Sequence, residues 1–264
     1  MAPGLNPGLD FDLGQIQGWI GALFWPFVRI AACLMSAPVF GTSYVPRRLR
    51  IVLAGAITLS IAPLLPAPPD LPMLSAGGIL MTAQQVLIGL AMGFAMQLVF
   101  DSLALGGQLL ANGMGLGFAF NLDPLRGVST PALGQLYIVL GTLTFLALDG
   151  HLALISTLVD SFKGLPVGEQ GLDPARLYSL AGWGSELFSG ALAVALPGVT
   201  ALLVINLAFG VMSRAAPSLN LFAVGLPVTL LFGLVIVLFG LPSFGTACRQ
   251  LFAEGFAFLQ ALVG

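Results

Sequence analysis

One apolar run in this chain, Ile79 to Leu110, holds a single charged side chain, Asp101. A bilayer core roughly 30 Å thick is crossed by about 20 apolar helical residues. The run is therefore long enough to overrun a membrane, and it is far too apolar for the surface of a soluble domain. The rest of the chain is built the same way. Of 264 residues, 58% are hydrophobic and 8% charged, with a mean hydropathy of +1.01. Soluble domains carry roughly 25% charged residues. The composition points to an all-α polytopic membrane protein, or to a subunit buried in a larger hydrophobic assembly. It excludes a disordered chain and a basic nucleic-acid binder. Two cysteines cannot make a disulfide scaffold, and one histidine cannot make a multi-histidine metal site.

Further apolar segments are read at Ile16–Phe40, with Arg29 and Pro26 inside, and at Ile51–Leu65. The long third segment also carries Gln84, Gln85 and Gln97. Ala132–Leu148 follows, then Asp149-Gly150-His151 and a further apolar turn to Phe162. Lys163–Arg176 is the longest hydrophilic connection. The fifth segment runs from about Gly184 to Met212 around Pro197, the sixth from Leu219 to Leu241 around Pro227. A last, partly amphipathic helix is expected over Phe244–Val263. Met1 to Asp12 has no Lys or Arg, so the basic n-region of a cleavable signal peptide is not expected. Arg47, Arg48, Arg50, Arg126 and Arg214 follow odd-numbered segments, against Lys163 and Arg176 after even-numbered ones. The positive-inside rule then puts the odd loops in the cytoplasm and the N-terminus outside.

An ionisable group inside a bilayer costs about 3 kcal/mol on insertion scales. Arg29, Asp101 and Glu186 therefore need partners or water. For Arg29 and Asp101 an interhelical or intersubunit ion pair outranks transport chemistry. Asp149 and His151 read as an interfacial turn around Gly150. Catalysis finds little support. A nucleophilic set would have to combine His151 with Ser156, and neither a Gly-x-Ser-x-Gly elbow nor a His-Glu-x-x-His pair exists. The chain is not expected to be an enzyme, and no cofactor is expected. Cys33 and Cys248 read as small buried hydrophobes.

The glycines are of two kinds. Gly89 to Gly93 is a small-xxx-small pattern, which allows close helix approach but is common by chance in such sequence. Gly113-Met114-Gly115-Leu116-Gly117-Phe118-Ala119-Phe120 alternates too densely for a helix, since each glycine costs about 1 kcal/mol relative to alanine. A flexible apolar loop at membrane depth must be hidden in protein or line a cavity. As a phosphate cradle it lacks the Lys-Ser/Thr that would follow. The residues leave two readings open: a hydrophobic gate sealed by Met114, Leu116, Phe118 and Phe120, or an ordinary packed re-entrant loop.

Several blocks in order resemble one family. They are Phe24-Trp25-Pro26 with Arg29, Ala37 to Gly41, Val45-Pro46-Arg47-Arg48, Gln84 to Gly89, the loop from Asn112 to Pro124, Asp149-Gly150-His151, Leu158 to Phe162, and above all Asn206 to Pro227. Together they are similar to the FliR/SctT family of type III secretion export-gate proteins, and more to its flagellar branch than to its injectisome branch. The resemblance spans about Trp19 to Phe256. It implies kinked, broken helical hairpins held in a helical hetero-oligomer, with a FliP-like part over 1–176 and a FliQ-like hairpin over 177–264. It implies FliP-like and FliQ-like partners, FlhB-like and FlhA-like export components, unfolded protein substrates, and a place in the bacterial inner membrane at the flagellar basal body. It further implies that the loop 112–124 plugs the pore. The competing expectations are an SctT subunit of a virulence injectisome and a stand-alone small-solute transporter.

Overall fold

The computed structural model describes residues 13–69, 71–116, 132–168, 171–215 and 221–264. Among them every regular element is helical: α1 Leu13–Ser36, α2 Arg47–Ile61 with a short 3-10 turn at Ala62–Leu64, α3 Ala76–Gly113, α4 Ala132–Ala147, α5 Gly150–Gly164, α6 Pro174–Trp183, α7 Glu186–Ala215 and α8 Leu221–Val263. Three stretches, Ala76–Gly113, Pro174–Ala215 and Gly225–Val263, are long and apolar enough to cross a membrane. The pair α4 and α5 bends by 68° at its break and adds a fourth if counted as one span. The protein is thus a membrane-associated all-α fold.

The second apolar segment falls short of that length, since α2 has 15 residues, whereas α1 has 24. Two further boundaries differ from the sequence reading. The sixth segment and the last helix are one 43-residue helix, α8, which runs through Pro227 and Pro242. Each proline deletes one backbone donor, and neither deletion ends the helix. Within the stretch read as a hydrophilic connection and the residues after it stands α6. Its start carries a standard signal, Asp173 before Pro174. The Asp173 carboxylate accepts from the Arg176 backbone N–H at 2.7 Å, and proline at the first helical position forfeits no bond.

The described chain forms two compact units. The first comprises residues up to Gly93 with Leu158–Leu177 and Val263–Gly264. Its core holds Trp25, Ile30, Leu34, Met81, Ile88, Met92 and Phe162, all buried. Here α1 and α3 touch through backbone. A Cβ on Gly89 would overlap the Arg29 carbonyl and lie 2.8 Å from Ala32 Cβ; one on Gly93 would lie 2.8 Å from Ala37 N and from Cys33 O. The Gly89–Gly93 pattern is therefore a real helix-crossing notch. The second unit comprises Phe94–Thr157 and Tyr178–Leu262. Its centre is an aromatic cluster in which Phe145 lies 5.3 Å, centroid to centroid, from both Phe100 and Phe252. Trp183, at the end of α6, stacks on Phe258 at 4.3 Å and donates its indole N–H to the Ala95 carbonyl at 3.0 Å. Glycine again permits close contact: a Cβ on Gly107 of α3 would lie 2.6 Å from the Leu133 carbonyl of α4.

Candidate functional site

The glycine-rich run begins as helix. α3 continues through Gly113, and the chain leaves it by a hydrogen-bonded stop. The Leu116 N–H donates to the Ala111 carbonyl and the Gly115 N–H to the Asn112 carbonyl, both at 3.0 Å. Gly115 has a φ of 80°. This is the Schellman arrangement, in which a left-handed residue just past the helix satisfies its last carbonyls. Glycine is favoured there because a Cβ resists that conformation. Gly115 is thus a helix cap, and Gly113 the last helical residue.

Two later helices hold this end of α3, all within the second unit. The Asn206 amide of α7 donates to the Gly113 carbonyl at 3.1 Å. The Thr229 hydroxyl of α8 lies 3.4 Å from the Met114 carbonyl, although its closer acceptor is Leu226 O of its own helix at 3.0 Å. The Met114 side chain is 1% exposed. It fills the space beside Gly233 of α8, where an added Cβ would meet Met114 Sδ at 2.6 Å. Met114, for which the sequence leaves open a gate seal or a packed re-entrant loop, is packed among this chain's own helices. Leu116 is half-buried at the exit. Gly117, Phe118 and Phe120 lie outside the described residues. Asn206, Thr229 and Gly233 were not singled out as site residues from the sequence, although Asn206 opens the most family-specific block. Their signal was a polar or missing side chain on an otherwise apolar helix.

Arg29 is the other focus, in the first unit. Its guanidinium is completely buried. Nε donates to Gln85 Oε1 at 2.8 Å, Nη1 to the Ser161 carbonyl at 3.1 Å and to Ser161 Oγ at 3.2 Å, and Nη2 to the Leu165 carbonyl at 2.7 Å. The Phe162 ring lies 4.2 Å from Cζ, inside cation–π range. The acceptors are all neutral, so the ion pair expected for Arg29 is replaced by a fork of dipoles joining α1, α3, α5 and the residue after α5. Guanidinium suits this role because its five donors radiate in a plane from a group that stays charged.

The remaining charges are placed more simply. Asp101 is exposed and accepts from Gln97 of its own helix at 2.9 Å. Glu186 is half-buried in the first turn of α7, accepting from Ser189 Oγ at 3.0 Å, where a carboxylate complements the helix dipole. Asp149 takes a φ of 54° at the turn between α4 and α5, and His151 Nδ1 is buried without a hydrogen-bond partner among the described residues. Cys33 and Cys248 are buried free thiols. Among the described residues no group of three His, Cys, Asp or Glu could hold a metal ion.

Comparison with known proteins covers nearly the whole chain. The family described as "Bacterial export proteins, family 1" matches residues 20–255. The "Flagellar biosynthetic protein FliR" of Escherichia coli (strain K12) is 39% identical over 249 residues, covering 94% of this chain and 95% of the relative. The protein of the same name from Pectobacterium carotovorum subsp. carotovorum is 39% identical over 255 residues, 97% of each chain. That of Buchnera aphidicola subsp. Baizongia pistaciae (strain Bp) is 30% identical over 253 residues, 96% of this chain and 98% of the relative. The matches cover both α3 with its capped end and the α7 and α8 helices that hold it, and the chain belongs to the bacterial export proteins, family 1.

Proposed function

We propose that the chain is a subunit of the flagellar type III export gate in the bacterial inner membrane, at the flagellar basal body. In this reading it joins FliP-like and FliQ-like subunits in the channel for unfolded flagellar proteins, beside FlhB-like and FlhA-like components. Residues 1–176 form its FliP-like part and 177–264 its FliQ-like hairpin. The loop entered at Gly113 acts as a pore plug, with Met114 as its anchor and Leu116, Phe118 and Phe120 as its seals. The observation that carries the plug reading is the capped, clamped exit of α3. Its end is fixed by Gly115, by Asn206 and by the Met114 seat, so an apolar loop springs from a rigid root.

Two features of the second unit support a place inside an assembly. Of the most apolar 18-residue window of the candidate span Pro174–Ala215 17% is buried within the chain, and of that of Gly225–Val263 22%. Gly210, Gly240 and Gly245 have no neighbour within 4 Å of an added Cβ. Mid-helix glycine costs about 1 kcal/mol, a cost that the chain's own packing does not recover at these positions. No energy source is built into this role: a gate for unfolded chains needs to exclude ions at rest and to deform without a large penalty, which flexible Met and Phe side chains over glycine allow.

The test has two stages. Native mass spectrometry of the chain co-expressed with FliP-like and FliQ-like subunits is expected to give one defined complex. A stable monomer or homo-oligomer that ignores both would overturn the gate reading in favour of a stand-alone transporter. In the assembled complex, replacing Phe118 and Phe120 by alanine, or deleting Gly113 to Gly117, is expected to raise ion conductance. Unchanged conductance in both would remove the plug.

A further inference from the structure

The start of α2 carries a patch that the fold itself does not use. Arg47 and Arg48 make no hydrogen bond or ion pair among the described residues. They stand in the first turn of the helix, where the backbone dipole repels cations, so helix stability does not explain them. Nor does a carboxylate in the neighbouring sequence, since no acidic residue occurs between Asp12 and Asp70. Arg50 does act within the fold. Its Nη2 turns back to the carbonyls of Thr42 and Val45 and ties the turn before the helix, at whose centre Tyr44 is 86% exposed. Leu49, Ile51 and Val52 are also exposed. Arg48, Ile51 and Val52 share one helix face by their spacing of three and four. The inner face of α2 is small, with Ala54, Thr58 and Ile61 buried.

Unpaired arginines beside an exposed tyrosine and exposed aliphatic side chains match the chemistry of a membrane–water boundary. The tyrosine ring sits at headgroup level, the aliphatic chains reach the acyl boundary, and the guanidinium groups meet lipid phosphates, each able to bind bidentately. α2, at 15 residues, is too short to cross the bilayer, and an interfacial position uses both its ends. We infer that residues 44–52 bind anionic phospholipid headgroups through Arg47 and Arg48. The ligand class is a phosphodiester lipid with net negative charge, such as phosphatidylglycerol. A surface of acidic protein would satisfy the arginines but leave Tyr44, Ile51 and Val52 without a partner. The inference rests on membrane association alone and not on the gate reading.

The test is a lipid titration of the full-length chain in mild detergent, followed by native mass spectrometry, with phosphatidylglycerol and phosphatidylcholine of identical acyl chains. Each arginine near an anionic surface contributes roughly fivefold, so two give roughly thirtyfold preference for the anionic lipid. The Arg47→Gln/Arg48→Gln variant is expected to lose most of that preference, and the Arg47→Lys/Arg48→Lys variant to keep it. High salt is expected to weaken it, because exposed charges are screened. These positions are exposed, so unchanged circular dichroism will establish that the variants fold. Equal affinity of the unaltered chain for both lipids overturns the inference, as does full preference in the glutamine variant.

Discussion

Replacing Arg29 tests whether a buried cation surrounded only by dipoles stabilises this fold or burdens it. In Arg29→Met the Ser161 carbonyl keeps its donor, because the Leu165 N–H also reaches it at 2.9 Å. The Ser161 hydroxyl keeps its bond to the Leu158 carbonyl at 2.7 Å. Gln85 Oε1 and the Leu165 carbonyl lose the guanidinium. Two stranded acceptors cost roughly 1–3 kcal/mol each, and the lost Phe162 contact up to about 2 kcal/mol. Against this, a buried charge is removed, which returns several kcal/mol. The expected net is destabilisation by about 1–2 kcal/mol. Arg29→Lys is expected to be at least as harmful: the ammonium keeps the charge buried, yet one compact donor cannot span acceptors from Gln85 on α3 to Leu165 beyond α5. In the cycle with Gln85→Leu, the double variant is expected to recover about 1–2 kcal/mol relative to the sum of the singles. Equilibrium unfolding in mixed micelles, followed by the fluorescence of Trp25, measures all four. That ring is buried and donates to Thr82 Oγ1 at 3.2 Å in the same unit. A methionine variant as stable as the parent, or a lysine variant that matches it, would refute the fork geometry as the stabilising feature.

Two further outcomes follow from glycine contacts. Gly233→Val is expected to expel Met114, costing roughly 1–3 kcal/mol and raising the thiol-labelling rate of a Leu116→Cys reporter, with Met114→Ala restoring slow labelling; unchanged labelling would show that Met114 does not hold the end of α3. Gly89→Val or Gly93→Val is expected to cost roughly 3 kcal/mol, the top of the overpacking range, since the obstructing atoms include α1 backbone; a thermal melt equal to that of the parent would dissolve the α1–α3 crossing.

Hydropathy located α3, α4, α5 and most of α7 to within a few residues, because bilayer length and apolar composition act through local sequence. It failed where one residue's local effect was overridden. The sixth segment ends at Leu241 in the sequence reading and the last helix begins at Phe244, but Pro242 between them deletes a single hydrogen bond from a helix with 43 residues, and α8 continues. α6 was hidden by the opposite error: the polar residues before it drew attention from the Asp173–Pro174 start signal. The site was less legible than the fold. Gln85, Ser161 and Leu165 stand 56, 132 and 136 positions from Arg29, so no periodicity links them, and none is a carboxylate whose charge would mark it as the partner of an arginine. The Gly113–Gly117 alternation was read as one loop, whereas its members differ in role: Gly113 ends a helix and Gly115 caps it.

Apolar composition also says how much surface must leave water, but not what covers it. α3 and α8 are alike in this respect, yet the apolar window of the first is 67% buried within the chain and that of the second 22%. The difference lies in the glycines. On α3, Gly89, Gly93 and Gly107 each meet the backbone of a neighbouring helix, so their missing side chains are matched by close contacts within the chain. On α8, Gly240 and Gly245 face open space between Gly233, which is filled by Met114, and Gly255, where an added Cβ would lie 3.1 Å from Met96 Sδ and Val99 Cγ2. A long apolar helix of this chain is therefore divided by its glycines into places that close on the chain itself and places left for lipid or another subunit.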